Sequence, residues 1–357
     1  MIRIMLSLLY FGYVYHFVDA QNIQVDGILF GRPIQTFVDS ELAKNMLTNP
    51  TDSNVMRLFS NFSTYEINTE TLSEITQIYS MDVATLFFLK KIYEQEENRL
   101  IQDFYLTAID TLSLENNKYD LTFLQDYFIA FVPGFRYEYI DNGGDFLQQR
   151  ILLDSAGIEY EMINIEGIGR VNRNAEIIAD RLQELSKIHS NIIVISVSKG
   201  GMETAIALGE LIQPQNLSAI KAWINVGGIL KGTPIADRWA KPFMRFWMAC
   251  GLIVANIKVD LKGLLIDMSY ELGKDRYKSF NIPPEIYTIN LIAASFGKEQ
   301  EKKCVFTSPN DSFSPLADAI TENGVVVVEI GLDHYFKDID LNSRMVALLN
   351  YIVRQLY

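Results

Sequence analysis

The residues with the clearest chemical potential lie where an apolar run meets a turn of small residues. The run Ile192–Val197 has the length and composition of a strand, and Ser198 follows it directly. Gly200 comes next, and the segment Gly201–Ile212 has the pattern of a helix. This order of strand, turn and helix holds a serine exposed at the end of a sheet, and it needs small residues because the two backbones nearly touch. The pattern predicts a nucleophilic serine; the alternative is an ordinary turn between a strand and a helix.

A serine hydroxyl needs a base that takes its proton before it can attack a carbonyl group. The sequence contains three histidines. His16 lies in the apolar N-terminal segment, and His189 precedes the strand of the serine, at the wrong end of a parallel sheet. His334 follows the apolar run Val325–Ile330 directly, in a loop at the carboxyl end of a predicted strand, where open α/β sheets collect their functional groups. We therefore predict that His334 is the general base.

A carboxylate must orient this base, and in the expected chain order it lies between the serine and the histidine. Asp311 fits best, because it sits in the loop 307–315, which is rich in turn-forming residues. The alternative role for Asp311 is that of a turn residue that bonds its own backbone. Asp318 is the second candidate, although it falls in the helix that follows. Asp333 is adjacent to the histidine and should point away from its ring.

Two backbone N–H groups are needed to stabilise the oxyanion that forms during attack. One is expected from Lys199, the residue after the serine. The other is expected from the loop after the first predicted strand, where Gly134 allows a close turn and Phe135 follows. We expect the Lys199 side chain to lie along the helix surface, with stabilisation of a substrate carboxylate as the alternative.

The elements that would position these groups follow from the hydrophobic pattern after residue 126. Apolar runs of strand length alternate with amphipathic stretches, which predicts a mostly parallel sheet with helices on both faces. The predicted strands are Tyr127–Pro133, Tyr160–Ile165, Ile192–Val197, Ala219–Val226, Ile286–Ala293 and Val325–Ile330. The predicted helices are Gly144–Ala156, Asn174–Ile188 and Gly201–Ile212.

Two regions depart from this alternation. Residues 21–120 have a mostly helical pattern, and we expect an extension that packs on a main domain at 121–357. Within it, the capping-box pattern Thr71–Glu74 predicts a helix start, and Asp82 is expected to cap a helix that runs through Phe104. The interval from about 233 to 284 is long for a connection, and its apolar stretch Phe243–Asn256 predicts a cap over the site. The alternative is a set of extra helices that cover the sheet.

The N-terminal segment and the net charge indicate the compartment of the protein and limit the classes of partner it can bind. The apolar run Ile4–Val18 ends near the small residue Ala20, which predicts a signal peptide at 1–20 and a secreted or periplasmic chain, with a retained anchor as the alternative. The net charge of −13 disfavours nucleic acid. Cys250 and Cys304 can form one bridge in an oxidising compartment. No motif indicates a metal, and we expect no cofactor.

These motifs together resemble the α/β-hydrolase superfamily, and within it the serine esterase and lipase branch, over about residues 125–357. The matching pieces are Val132–Phe135, Ser196–Gly200, Gly227–Asp237, Pro309–Asp311 and Asp333–His334. The resemblance implies a nucleophile, an acid, a base and two oxyanion donors at Ser198, Asp311, His334, Phe135 and Lys199. The chain departs from the family pattern at Ser196, where glycine is usual, and it lacks the histidine that often precedes the glycine of the oxyanion loop.

The leading hypothesis is a serine hydrolase that cleaves carboxylic esters through an acyl-enzyme. An apolar cap implies an acyl chain of some length, so lipase-like or thioesterase-like substrates are expected, together with transient contact with a membrane or lipid surface. An acyltransferase with the same three residues is an alternative. A non-catalytic scaffold that holds a lipid or a partner protein is another. The sequence leaves the natural ester and the oligomeric state open.

Overall fold

The computed structural model describes residues 22–63, 66–114, 119–138, 144–254, 258–276, 280–297, 306–337 and 339–356. The predicted signal peptide at 1–20 and Cys304 lie outside these residues, so secretion and a disulfide stay predictions. Among the helices of the described residues, none is both long enough and apolar enough to cross a membrane.

Eight strands and fourteen α-helices are present in the described part of the chain. The strands are β1 Ile23–Leu29, β2 Arg32–Val38, β3 Phe128–Val132, β4 Tyr160–Met162, β5 Ile192–Val197, β6 Ile220–Val226, β7 Tyr287–Ala294 and β8 Val325–Ile330. The helices are α1 Glu41–Thr48, α2 Ser53–Asn61, α3 Thr69–Ile78, α4 Met81–Glu94, α5 Glu96–Leu114, α6 Leu147–Ala156, α7 Val171–Leu185, α8 Lys199–Ile206, α9 Pro214–Leu217, α10 Pro234–Ala240, α11 Pro242–Val254, α12 Leu261–Asp267, α13 Tyr270–Arg276 and α14 Leu341–Leu356.

Strands β3 to β8 form the central sheet. They are all parallel and lie in the order β4, β3, β5, β6, β7, β8. The predicted parallel sheet is therefore confirmed, and β5 and β8 have the predicted bounds. β4 ends at Met162 rather than Ile165. The helices also shift slightly: α6 begins at Leu147, α7 spans Val171–Leu185, and α8 continues as a π-helical turn to Leu211.

Helices cover both faces of the sheet because its strands are apolar on both sides. In β3 the side chains alternate, as they must in an extended strand. Ile129 and Phe131 join an apolar cluster with α5, α6 and α14. Phe128, Ala130 and Val132 join a second cluster with α7 and α8 on the opposite face. The core therefore lies in two layers, one on each side of the sheet.

The N-terminal region begins with a β-hairpin, which the helical prediction for residues 21–120 missed. β1 and β2 pair antiparallel, with Ile23 opposite Val38. The turn residues Phe30 and Gly31 have φ values of 53° and 71°. Two positive values in a two-residue loop are typical of a type I′ turn, which usually starts with Asn, Asp or Gly. A phenylalanine at that position gives little sequence signal.

The helices after the hairpin start at other caps than predicted. Asn68, not Thr71, caps α3, because its side chain accepts the N–H of Thr71 at 2.9 Å. Ser80, not Asp82, caps α4. The predicted helix through Phe104 is interrupted at Gln95, whose backbone is extended with φ −73° and ψ 127°. These short-range shifts leave the helical character of the region unchanged.

Helix α5 lies along β8, the last strand of the sheet. Its Asn98 side chain accepts the N–H of Val326 at 2.7 Å. One helical turn later, the Gln102 side chain accepts the N–H of Val328 at 2.8 Å and donates to its carbonyl oxygen at 3.1 Å. The amides take the place of a neighbouring strand for the N–H groups of Val326 and Val328 and for the Val328 carbonyl. The N-terminal region is thus joined to the sheet by specific hydrogen bonds.

Helices α10 to α13 fill the interval between β6 and β7 that was predicted to form a cap. Arg170, just before α7, donates to the buried carboxylate of Asp267 in α12 at 2.6 and 2.9 Å. In contrast, α11 is loosely held. Its Phe243 and Phe246 are 71% and 61% exposed, and none of its side chains described from 242 to 252 is buried.

Candidate active site

Ser198 occupies a strained turn between β5 and α8. Its φ of 57° and ψ of −122° lie where a residue with a side chain is rarely found. Its N–H donates to Val226 at 3.0 Å, and its carbonyl accepts the N–H of Gly201 at 3.0 Å. A Cβ on Gly200 would lie 2.5 Å from the carbonyl oxygen of Pro133, so glycine is needed there. The predicted turn between strand and helix is present.

Ser196, which replaces the usual glycine before this turn, has a specific partner. Its hydroxyl oxygen accepts the indole N–H of Trp223 at 2.8 Å, and both residues are fully buried. Trp223 lies on β6, the strand next to β5. A buried indole N–H normally needs an acceptor. The serine that departs from the family pattern therefore satisfies the indole N–H. It leaves intact the nucleophile elbow, which is the unit of strand, turn and helix around Ser198.

One imidazole joins the predicted nucleophile and the predicted acid. His334 Nε2 lies 2.8 Å from Ser198 Oγ, and His334 Nδ1 lies 2.7 Å from Asp311 Oδ2. The backbone N–H of His334 also donates to the Asp311 carbonyl at 2.8 Å. His189 is elsewhere, stacked on Phe128 at the start of β3 with 4.1 Å between ring centroids. The structure thus brings together the three side chains singled out in the sequence.

Asp311 combines the two roles that the sequence left open. Its Oδ1 accepts the N–H groups of Phe313 and Ser314, both at 2.8 Å, in a turn of its own loop. Its Oδ2 remains for His334. Burial works to raise the pKa of this carboxyl group, but the imidazole and the two N–H donors outweigh it and hold the pKa below its ordinary value. Asp311 is therefore ionised at neutral pH.

The other acidic candidates lie outside the site. Asp318 accepts the hydroxyl groups of Thr69 at 2.6 Å and Tyr270 at 2.8 Å, and it pairs with Lys231 at 3.0 Å. It thereby links the N-terminal region to the predicted cap. Asp333 turns back to the N–H of Tyr335 at 3.0 Å, as expected from its position. Over the described ranges, no three His, Cys, Asp or Glu side chains converge in a way that could hold a metal ion.

The predicted oxyanion loop lies against the nucleophile. A Cβ on Gly134 would be 3.5 Å from Ser198 Cβ. Gly134 itself donates to Gly144 at 3.1 Å. Within the described hydrogen bonds, the backbone N–H groups of Phe135 and Lys199 have no protein acceptor. Both N–H groups are therefore available, as the prediction of two oxyanion donors requires.

The expectation for the Lys199 side chain was wrong. The side chain is 1% exposed and forms an ion pair with Glu203, one turn later in α8 and also fully buried. Lysine is almost never fully buried without a partner. Burial raises the pKa of Glu203 to about 7, although the ammonium group opposes this change. The spacing of four residues was the one sequence signal for this pair.

Phe313 is a site residue that the sequence reasoning missed. Its ring stacks on the His334 imidazole with 4.6 Å between centroids. It also adjoins an apolar cluster that contains Leu264 and Leu265 of α12 and reaches Phe135. The predicted cap segment therefore shares an apolar cluster with residues on both sides of the nucleophile.

Comparison with known proteins bears on the fold. No family model and no curated protein matches the sequence. Among solved structures, a metagenomic carboxyl esterase is similar with a TM-score of 0.50 at 18% identity, over 65% of this chain and 76% of the esterase. The fold is that of the α/β-hydrolases. A mature Bacillus licheniformis lipase is similar with a TM-score of 0.45 at 16% identity, over 64% of this chain and 90% of the lipase. An esterase from Exiguobacterium antarcticum has a TM-score of 0.39 at 13% identity, over 64% of this chain and 92% of the esterase.

The α/β-hydrolase fold accounts for the position of the three side chains. In a parallel sheet, the loops that follow the strands lie at one edge. Ser198 follows β5, Asp311 follows β7 and His334 follows β8. The resemblance inferred from short motifs is confirmed at the level of the fold.

Proposed function

We propose that this protein is a serine hydrolase that cleaves carboxylic esters through an acyl-enzyme. The observation that carries the proposal is the single imidazole of His334, at 2.8 Å from Ser198 Oγ and at 2.7 Å from Asp311 Oδ2. A nucleophile, a base and an orienting acid at hydrogen-bond distance are the requirements for acyl transfer. The fold shared with a carboxyl esterase supports the proposal.

In this mechanism each group has a defined role. His334 Nε2 takes the proton of Ser198 as its Oγ attacks the ester carbonyl carbon. The N–H groups of Phe135 and Lys199 receive the oxyanion. His334 then gives the proton to the leaving alcohol, and the acyl group stays on Ser198. Water attacks this acyl-enzyme by the same route. Asp311 stays ionised and holds the proton on Nδ1, so that Nε2 is the atom that accepts.

The surroundings of the nucleophile favour an apolar acyl group. The apolar cluster beneath α12 reaches Phe135 and Phe313, which flank Ser198 and His334. An acyl chain bound there would continue an apolar surface, and each methylene group removed from water contributes about 0.8 kcal/mol. Esters with an acyl chain of some length, including thioesters, are therefore the substrate class in this proposal. The predicted signal peptide would place the activity outside the cytosol.

Contact with a lipid surface is part of this proposal, and α11 supports it. The helix carries Phe243, Phe246 and Trp247, which are 71%, 61% and 49% exposed. Arg245 is its one charged residue. An exposed apolar helix with aromatic side chains is suited to the boundary between water and lipid. Such contact would bring the site to esters held in an aggregate or a membrane.

A fluorophosphonate probe tests the proposed nucleophile. The wild type should be labelled, Ser198→Ala should not be, and Ser196→Ala should keep its label because its hydroxyl group is bonded to Trp223. p-Nitrophenyl esters of increasing length would then give the preferred acyl chain, and added alcohols would reveal transfer to acceptors other than water. Absence of labelling and of ester cleavage in the folded wild type would refute the proposal and favour a binding scaffold.

A further inference from the structure

A buried ion pair beside the nucleophile has no step in the mechanism above. Lys199 Nζ donates to Glu203 Oε1, and the two side chains are 1% and 0% exposed. Glu203 Oε2 has no hydrogen-bond partner among the described residues. Replacing a buried ion pair with apolar residues of similar volume is often neutral or stabilising for a protein. The pair is therefore poorly explained by stability alone.

The pair belongs to a hydrogen-bonded network that leaves α8. Glu203 Oε1 also accepts Asn174 Nδ2, from α7, at 2.8 Å. The Asn174 side chain, itself fully buried, binds the backbone of Glu166 through two hydrogen bonds. It accepts the Glu166 N–H at 3.1 Å and donates to the Glu166 carbonyl at 2.8 Å. A charged pair in the core is thus connected to a loop before α7.

The same loop holds the second oxyanion segment. The carbonyl oxygen of Gly167, next to Glu166, accepts the N–H of Arg136 at 3.1 Å. Arg136 directly follows Phe135 and has a positive φ of 59°, a backbone conformation that its surroundings must enforce. The network therefore begins at Lys199, whose own N–H is one proposed oxyanion donor. It ends beside Phe135, whose N–H is the other.

This connection matters because oxyanion donors act only at a defined distance. They must lie about 2.7–3.1 Å from the atom that becomes charged, and a misplacement of about 1 Å can lower a rate about 100-fold. The two donors here come from segments far apart in the chain, after β3 and after β5. Strands β3 and β5 pair as far as Val132 opposite Ser196. Beyond this ladder, the described hydrogen bonds form a second continuous link between the two donor segments.

We propose that Lys199, Glu203 and Asn174 are positioning residues that hold the two oxyanion donors at their working separation. This inference rests on the proposed ester hydrolysis. Their side chains act on the backbone N–H groups and leave the proton transfers to His334. Removing the link should weaken binding of the transition state while substrate binding stays nearly the same.

The test is a double variant in which Lys199→Met and Glu203→Leu replace the pair by apolar residues of similar size. The kcat for a p-nitrophenyl ester should fall roughly 10- to 100-fold, while KM changes by less than about twofold. The inhibition constant of a trifluoromethyl ketone, which mimics the tetrahedral intermediate, should rise in the same proportion. The matched control is Arg173→Met with Glu176→Leu, an exposed ion pair of α7 at 3.2 Å, which should keep wild-type kinetics.

A second variant covers the case in which the double variant does not fold. Lys199→Met alone removes the ammonium group, and burial then favours the neutral form of Glu203. It should show the same fall in kcat and the same weakening of the ketone. Glu203→Gln keeps an acceptor for Asn174 and should recover most of the kcat that the double variant loses.

Wild-type kcat and ketone affinity in a folded double variant, or in Lys199→Met, would overturn the positioning role. In that case the wild type would still be labelled by the fluorophosphonate and Ser198→Ala would not, so the proposed function would survive. A wild type that neither cleaves esters nor reacts with the probe would overturn both.

Discussion

The hydrogen bond between Ser196 and Trp223 gives the most direct test of how this elbow differs from the glycine pattern. Both groups are fully buried and 2.8 Å apart. Ser196→Ala removes the acceptor and leaves the indole N–H without a partner, which costs about 1–3 kcal/mol of unfolding free energy. Ser196→Gly adds about 0.5–1 kcal/mol, because glycine is unfavourable inside a strand. Ser196→Gly, which restores the family residue, should therefore be less stable than Ser196→Ala, and less stable than the wild type by about 1.5–4 kcal/mol in total.

Urea unfolding followed by circular dichroism measures these differences. Trp223→Phe completes a double-mutant cycle: combined with Ser196→Ala it removes donor and acceptor together. The double variant should therefore lose less than the sum of the single variants, by about 1–2 kcal/mol. Ser155→Ala, at an exposed position on α6, is the matched control and should stay within about 0.5 kcal/mol of the wild type.

Labelling measurements separate the structural role of this hydrogen bond from the catalytic reaction. The Ser196 hydroxyl group points to β6, so Ser196→Ala and Ser196→Gly should react with a fluorophosphonate at nearly the wild-type rate under native conditions. A loss of stability below about 0.5 kcal/mol in Ser196→Ala, or additive effects in the cycle, would refute the reasoning. Loss of labelling in a stable Ser196→Ala would instead place the nucleophile two residues earlier.

Four further outcomes are expected. Asp311→Asn should lower kcat for ester hydrolysis about 10⁴-fold, because an amide does not hold the imidazole in the required tautomer; a loss under about tenfold would point to another acid. Gly200→Ala forces a Cβ to 2.5 Å from a carbonyl oxygen, so it should cost about 1–3 kcal/mol in urea unfolding and slow labelling; a neutral result would contradict the tight elbow. Glu203 has a pKa of about 7 when folded against an ordinary value of 4.5, so the folded state retains a proton that the unfolded chain releases. Its contribution to stability should therefore be full below about pH 4.5 and decline as pH rises towards 7, and this decline should be absent in Glu203→Gln; identical pH profiles for the two proteins would argue against it. Finally, Trp247 emission should shift to the blue with phospholipid vesicles, and Phe246→Glu should weaken co-sedimentation; equal binding by both proteins would exclude α11 as the contact.

Much of the sheet and the site could be predicted because the signals are local. β5 and β8 are continuous apolar runs bounded by polar or turn residues, and their bounds agree with the prediction. His334 was identified by elimination among three histidines, and Asp311 by chain order. In the structure His334 lies at hydrogen-bond distance from both Ser198 and Asp311. A catalytic role for each of them stays a prediction.

The features that the sequence did not predict depend on partners far along the chain. Asp82 looked like a helix cap, but its carboxylate accepts the N–H of Gly297 at 2.9 Å, 215 residues away. In the sequence, Ser196 was only a departure from the glycine of the family pattern, and its hydrogen bond with Trp223 becomes visible in the folded chain. Lys199 was expected at the surface because isolated lysines usually lie there, and only the folded chain reveals its buried ion pair with Glu203, which also accepts Asn174. Local patterns carry no information on such pairings, because tertiary contacts decide them.

The hydrogen bonds from α5 to β8 have a consequence for the association of this molecule with other chains. An open parallel sheet has two outer strands, and each offers unpaired backbone groups on which another chain can add a strand and start aggregation. β4, at one border, is only three residues long. At the other border, Asn98 and Gln102 occupy the groups that an incoming strand would use. A protein shortened to residues 121–357 would lose these amides and expose a six-residue valine-rich strand. The N-terminal region therefore covers a strand on which another chain could otherwise add.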